Sequence, residues 1–341
     1  MLTRVEPCTS EALVRAAELI HAGEVVGFPT ETVYGLAADA LNPEAVMKIF
    51  AAKDRPADNP LIVHITDISQ VDRLISGEMS ETARRLAQVF WPGPLTMIMP
   101  KSELIPDCVS AGLNTVGIRM PSNKDALKFI EACGCPIAAP SANRSGRPSP
   151  TTARHVLEDM DGRIHMILDG GECSVGLEST VLDVTGDILR VLRPGGVTSE
   201  QIAEVVGGCR VDESVMRPLK EGEKPRSPGM KYRHYAPKGS LTIFEGEPAE
   251  VADAICDAYD QAGEGALILA LDEHIPLYGN RKVMSLGADA KEMAHKLFDE
   301  LRVADEMGAR HIFSEAVSGE GIGLAVMNRL GRAAAFNIEK I

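Results

Sequence analysis

No run of the ~18 to 20 apolar residues needed to span a bilayer occurs in this chain of 341 residues. Its opening residues carry no cationic stretch leading into an apolar one. Cytoplasmic residence and no membrane association are the resulting expectations. A surplus of positive charge is also missing. The net charge of −14 disfavours broad adhesion to nucleic acid or to an anionic membrane, although a local basic site stays open. The seven cysteines are odd in number and lack any C-x-x-C spacing, which suits free thiols in a reducing compartment better than a disulfide frame or a structural zinc site. Cys133 and Cys135 are the one close pair and are expected to be buried and inert. Finally, no Walker A loop, G-x-S-x-G elbow or H-E-x-x-H pair occurs, which removes the commonest NTPase, hydrolase and zinc-protease chemistries.

What is present is a 45% hydrophobic chain long enough for a sizeable core and two domains. Residues 24–36 organise the first of them. Val25 to Phe28 is short, β-branched and bounded by Gly23 and Pro29, as expected of a strand buried on both faces. It runs into a loop that offers Thr30, Glu31, Thr32 and Tyr34. Ligands in open α/β sheets collect beyond the carboxyl ends of strands, so this edge is the expected place for chemistry. Before it, residues 10–22 read as a helix capped by Ser10, with Leu13, Ala16, Ala17 and Ile20 on one stripe and Gly23 as its stop. After it, Asn42 and Pro43 open a second helix, and the proline-stiffened loop Lys53 to Pro60 leads to the strand Leu61 to Ile65. Further strands are expected at Leu95–Met99, Thr115–Arg119, Ile137–Ala139, Ile164–Leu168 and Ile188–Leu192, with helices from Ser80 and Lys124 between them.

This pattern predicts an α/β domain over residues 1–207. Residues 208–238 form a connector with 8 basic and 4 acidic side chains, the one net-positive stretch of the three. In it Met230 to Tyr235 interleave two aromatics with Lys231, Arg233 and His234, which suits either a solvated tether or a lid laid over an anionic ligand. Residues 239–341 alternate strand and helix and read as a small α/β domain. Gly319 to Gly323 opens its last helix and is assigned to packing or capping, because the spacing falls short of a dinucleotide fingerprint.

The candidate site is distributed. Fixed cations at Lys53, Arg55, Arg119 and Arg193 accompany short donors at Thr32, Thr115, Ser141, Asn143, Ser149 and Ser179, mostly at strand ends. Guanidinium forks match phosphate and carboxylate oxygens while hydroxyls fix orientation, so such a set suits a triphosphate with a small polar ligand. His64, on a strand, reads as a core histidine unless its neighbours Asn59 and Arg55 place it in that site.

Six ordered motifs carry a resemblance: P-T-E-T-V-Y-G-L from Pro29, K-D-R-P from Lys53, P-L-I-V-H ending at His64, W-P-G-P-L-T from Trp91, A-P-S-A-N-x-S-G from Ala139 and E-S-T-V from Glu178. Together they resemble the YrdC-like threonylcarbamoyl-AMP synthases. The connector S-P-G-M-K-Y-R-H-Y-A-P and the terminal domain resemble the long, two-domain form. The resemblance implies a YrdC-like twisted-sheet catalytic domain followed by a small Rossmann-like α/β domain. It implies condensation of L-threonine, bicarbonate and ATP, with Mg2+, to threonylcarbamoyl-adenylate and pyrophosphate. The product would feed the machinery that transfers threonylcarbamoyl to tRNA, with weak tRNA binding as a secondary role.

Position by position, it assigns threonine to Thr32, His64, Arg119, Ala139 (through its backbone) and Ser179. The nucleotide goes to Arg55, Asn59, Thr115, Ser141, Asn143, Ser149 and Arg193. Lys53 and Arg55 become the catalytic cations at the phosphates, and Tyr232, Arg233, His234 and Tyr235 the residues of the lid. No metal ligand among the side chains is implied. Asn123 stands where relatives often carry histidine. Two other readings compete. A carbamoyl-phosphate-dependent enzyme making carbamoyl-adenylate would bring C-x-x-C pairs and further domains, which this chain lacks. A non-enzymatic RNA-binding module would use Arg144, Arg147 and the connector, against the acidic total.

Overall fold

The computed structural model describes residues 2–217, Ser227 and residues 234–341. Residues 218–226 and 228–233 of the expected connector, Tyr232 and Arg233 among them, lie outside the described residues. The chain divides into two compact units, one formed by Met1–Ser145 with Ser149–Lys231, the other by Gly146–Pro148 with Tyr232–Ile341.

The first unit opens with the helix Ser10–His21, whose buried stripe is Ala12, Leu13, Ala16, Ala17 and Ile20. Its cap is Thr9 and not Ser10. Thr9 has extended backbone, so its hydroxyl can reach back to the Ala12 amide at 3.2 Å, whereas Ser10 already lies inside the helix. The helix Pro43–Lys53 is capped by Asn42 with Pro43 in its first turn. Asn123 caps the helix Lys124–Cys133 by accepting from the Asp125 and Ala126 amides, which gives that residue a structural task.

Among the described residues of this unit the sheet has eleven strands. Their order is Arg4–Pro7, Met166–Asp169, Val26–Phe28, Gly35–Asp39, Ile137–Ala139, Ile62–His64, Thr115–Arg119, Leu95–Pro100, Thr180–Asp183, Arg190–Arg193, Arg210–Val211. The helices Ser10–His21 and Lys124–Cys133 cover one face through Ala16, Ile20, Phe129 and Ile130, which pack with Phe28. A larger apolar cluster including Leu36, Ile49, Phe50, Val63, Leu86, Met97 and Ile118 fills the other.

The strand Gly35–Asp39 was among those not legible beforehand. Gly35–Asp39 pairs antiparallel with Val26–Phe28, so the segment from Pro29 to Tyr34 is the turn of a hairpin and not a strand-to-helix loop. Gly-Leu-Ala-Ala-Asp lacks the β-branched and aromatic residues that mark strands. It is extended because neighbours claim it on both sides, Val26 opposite Ala37 and Ala138 opposite Ala38.

The second unit is a five-stranded parallel sheet in the order Val283–Ser285, Ala266–Ala270, His311–Glu315, Ser240–Glu245, Ile338–Lys340. Phe244, Ile268 and Phe313 pack with Val251 and Ile255 of the helix Pro248–Ala262. The helices Ala290–Glu306 and Gly321–Ala333 complete a Rossmann-like α/β fold. Gly321 begins the last helix, so part of the glycine-rich turn lies within it. Within this unit the carbonyls of Gly146 and Pro148 accept from the Ala236 amide at 3.0 Å and from Arg302 Nη2 at 2.5 Å.

Gly195 illustrates how closely backbone approaches backbone in the first unit. A Cβ there would stand 2.4 Å from Glu178 O and Thr180 N, with no flexible side chain to yield. Gly195→Ala is therefore expected to destabilise the fold by about 1 to 3 kcal/mol in urea unfolding. An unchanged midpoint would mean that the two segments can part freely.

Candidate active site

Backbone hydrogen bonds lace the polar loops of the first unit together before any side chain acts. Tyr34 N donates to Pro150 O at 2.8 Å, Leu36 N to Pro140 O at 2.9 Å and Ala142 N to Tyr34 O at 2.9 Å. Val175 N donates to Glu31 O at 2.8 Å, and Ser145 N to Lys53 O at 2.9 Å. The hairpin turn, the Ser141–Ser149 loop and the end of the Lys53 helix thus hold one another. Tyr34 belongs to this framework. Its hydroxyl donates to Gly171 O at 2.7 Å and accepts from the Gly170 amide at 3.2 Å, so it is spent on a turn and not offered to a ligand.

Arg119 is at the centre. It ends a strand whose parallel register sets it beside His64, and it is 3% exposed. Its Nη1 donates to Thr32 Oγ1 at 2.9 Å and its Nε to Gly93 O at 3.3 Å. Thr32 is also within hydrogen-bond distance of Thr30 Oγ1 at 2.8 Å. Arg119 Nη2 lies 2.6 Å from the buried carboxylate of Glu31. Beside this cation the imidazole of His64 is held neutral. Burial first, and the Arg119 charge second, push its pKa down to about 3. The Phe28 ring meets it edge-on at 6.1 Å. Ala139 lies on the neighbouring strand opposite Ile62.

Ser179 and Arg193 form a second group. Arg193 Nε donates to Ser179 O at 3.1 Å and Nη2 to Ser179 Oγ at 3.2 Å, while Ser179 Oγ lies 2.8 Å from Thr96 Oγ1. Thr115 shares a small hollow with Thr96, Pro60, Ile62 and Val181. Ser149 donates to the buried carboxylate of Glu178.

Lys53 and Asn143 form a third. Lys53 Nζ is buried and donates to the carbonyl oxygens of Ser141 and, at 2.6 Å, Asn143. Burial, followed by the charge of Arg55, lowers the Lys53 pKa well below the usual ammonium value. Ser141 Oγ donates to Asn143 Oδ1 at 2.5 Å. Arg55 Nη2 donates to Asn59 O at 3.0 Å. The Asn59 side chain is fully buried, yet its amide oxygen and nitrogen both lack a hydrogen-bond partner. Leaving such atoms unmade costs free energy in the absence of a ligand, so they mark a place built to receive one.

The structure thus brings Thr32 onto Arg119 beside His64, Ser179 onto Arg193, and Ser141 and Asn143 onto Lys53. His234 and Tyr235 belong to the second unit, where the Tyr235 ring packs 4.9 Å from that of Phe298. Glu178 and Thr96 are residues of the candidate site that sequence reasoning passed over, and Glu31, named there as part of the loop, was given no role. Glu31 and Glu178 sat inside recognised motifs. Their signal was a carboxylate beside predicted cations and hydroxyls at strand ends.

The neutral histidine has a pH consequence. Between about pH 6.5, where an unfolded histidine titrates, and pH 3, the unfolded chain takes a proton that the folded site refuses. Stability therefore falls on acidification by roughly 1 kcal/mol per pH unit from this group. In urea unfolding at pH 7 and pH 5, the stability lost through His64→Gln should shrink by about 1 to 2 kcal/mol at the lower pH. A gap that stays constant would show that His64 is protonated in the folded protein.

Comparisons with known proteins place the chain in a family. The Sua5–YciO–YrdC family model, described as "Telomere recombination", matches residues 18–195, and a model described as "Threonylcarbamoyl-AMP synthase, C-terminal domain" matches residues 197–335. The threonylcarbamoyl-AMP synthase of Bacillus subtilis is 50% identical over 94% of this chain and 92% of its own length. That of Pyrococcus abyssi is 45% identical over 96% and 95%. The crystal structure of P. abyssi Sua5 complexed with L-threonine superimposes with a TM-score of 0.90 at 43% identity, covering 100% of this chain and 99% of that one. With two family models matched in order along it and relatives of 45 to 50% identity over nearly its whole length, the chain belongs to the Sua5/YrdC family, in its two-domain form.

Proposed function

We propose that the protein is a threonylcarbamoyl-AMP synthase, which condenses L-threonine, bicarbonate and ATP to threonylcarbamoyl-AMP and pyrophosphate. The observation that carries the reading is the buried Arg119 guanidinium between Thr32 and the neutral His64. It offers a fixed cation for an amino-acid carboxylate. A neutral imidazole in the next strand can bond a side-chain hydroxyl, which lets a site reject substrates that lack one. Ala139, through its backbone, and Ser179 complete the threonine set.

In the reaction, the threonine amine, having given up a proton, adds to the carbon of bicarbonate, and water leaves to give a carbamate. A carbamate oxygen then attacks the α-phosphorus of ATP, and pyrophosphate leaves. Two anions must meet, so repulsion is the main obstacle. Arg119 neutralises the carboxylate, and Arg55 and Arg193 receive phosphate oxygens with donors from Thr115, Ser141, Asn143 and Ser149. Mg2+, bound with ATP, would supply charge that offsets that of the phosphates beside Arg55 and Arg193. Lys53, whose donors hold two carbonyls of the Ser141–Asn143 loop, keeps that loop in shape and adds its charge from behind.

No helix among the described residues is long and apolar enough to cross a membrane, in keeping with work in the cytoplasm. There the labile adenylate would pass to the enzyme that threonylcarbamoylates tRNA.

Purified protein supplied with ATP, Mg2+, L-threonine and bicarbonate should form pyrophosphate and the adenylate together, and only when every substrate is present. Arg55→Ala should lower kcat/KM by about 10²- to 10³-fold. Turnover with carbamoyl phosphate in place of threonine and bicarbonate would overturn the assignment. Asn59→Leu removes two unpartnered buried polar atoms at nearly constant shape, so it should leave stability equal or raised while weakening ATP binding about tenfold or more. Unimpaired ATP binding in that variant would remove Asn59 from the nucleotide site.

A further inference from the structure

Glu31 is a buried charge beside Arg119 that the roles above leave unused. It is 6% exposed and faces Arg119 Nη2 at 2.6 Å. Neither of its carboxylate oxygens has a partner in hydrogen-bonding geometry, and neither does Arg119 Nη2. The two groups touch as charges without forming the bidentate bonds that usually offset burying them. The backbone beneath Glu31 is pinned, because its carbonyl accepts from Val175 N at 2.8 Å. The next residue, Thr32, is already bonded to Arg119.

We infer that Glu31 is a substrate-binding residue whose carboxylate receives the α-ammonium group of the amino acid that Arg119 holds by its carboxylate. The inference rests on the amino-acid reading of the site given above. An α-amino acid carries its positive nitrogen and its carboxyl carbon on one atom, about 2.5 Å apart by standard covalent geometry. The charges of Glu31 and Arg119 are spaced on the same scale and opposed in sign. A zwitterion entering antiparallel to the pair exchanges one ion contact for two. It also supplies the hydrogen bonds that both side chains lack. The pair is then a clamp for the zwitterionic end of the substrate, kept neutral while empty. An acid with a hydroxyl in place of the amine satisfies Arg119 but leaves Glu31 buried against a weaker partner.

The test uses the full-length protein and calorimetric binding of two ligands, L-threonine and 2,3-dihydroxybutanoate of matching configuration, which differ in the amine alone. Wild type is compared with Glu31→Gln. The expected result is a wild-type preference for threonine that falls about 10- to 100-fold in the variant, the size of one charge-assisted hydrogen bond. ATP binding should be unchanged. Equal changes for both ligands, leaving the preference intact, would overturn the inference and make Glu31 a mere counter-ion of Arg119. If Glu31→Gln fails to fold, Glu31→Asp serves in its place. It keeps the charge but withdraws it by one methylene, and should reduce the same preference in the same direction. A wild type that binds ATP but neither of the two acids would instead refute the amino-acid reading itself, without recourse to any variant.

Discussion

Burial of the Arg119 guanidinium is the constraint on which the rest of the catalytic unit depends. A cation almost withdrawn from water is costly unless neighbouring groups offset its charge. Three separate segments surround it: the hairpin turn through Thr32 and Glu31, the break after Trp91 through the Gly93 carbonyl, and the neighbouring strand, whose histidine stays neutral beside it. None of these partners is local in sequence. The hairpin, the turn at Gly93 and the parallel pairing of Ile62–His64 with Thr115–Arg119 all converge on one side chain.

A second buried cation works differently. Lys53 directs its ammonium to backbone carbonyls of the loop that carries Ser141 and Asn143. Its depressed pKa reflects the same desolvation. The consequence is a polar loop whose shape is set before any ligand arrives, and preorganised donors are worth most where water is excluded. Asn59 shows the cost of this arrangement. Its amide is held away from solvent with neither atom bonded.

Much of this was legible in the sequence, for reasons that can be named. Helix starts follow local chemistry, so Asn42, Ser80 and Asn123 stand where caps were expected or where a polar residue was noted. Thr9 displaced Ser10 because backbone conformation, which composition does not reveal, decides which of two adjacent hydroxyls can cap. The strand Gly35–Asp39 escaped because its small residues have no strand preference of their own and are extended by their neighbours. Tyr34 read as a ligand-facing residue and turned out to brace the Gly170–Gly171 turn, a partner 136 positions away.

The sequence by itself determined the class of fold, the family and the chemical inventory of the site: cations and hydroxyls at strand ends, and no nucleophile motif. These follow from residue type and local order, which a linear chain displays directly. Only the tertiary structure decided which charges oppose one another. Glu31 and Arg119 are 88 residues apart and become an ion pair through the hairpin and one parallel register; His64 is kept neutral first by its burial and second by the same cation, which that register sets beside it. Coulomb interactions and desolvation depend on distance and burial in space, and neither quantity exists until the sheet has formed.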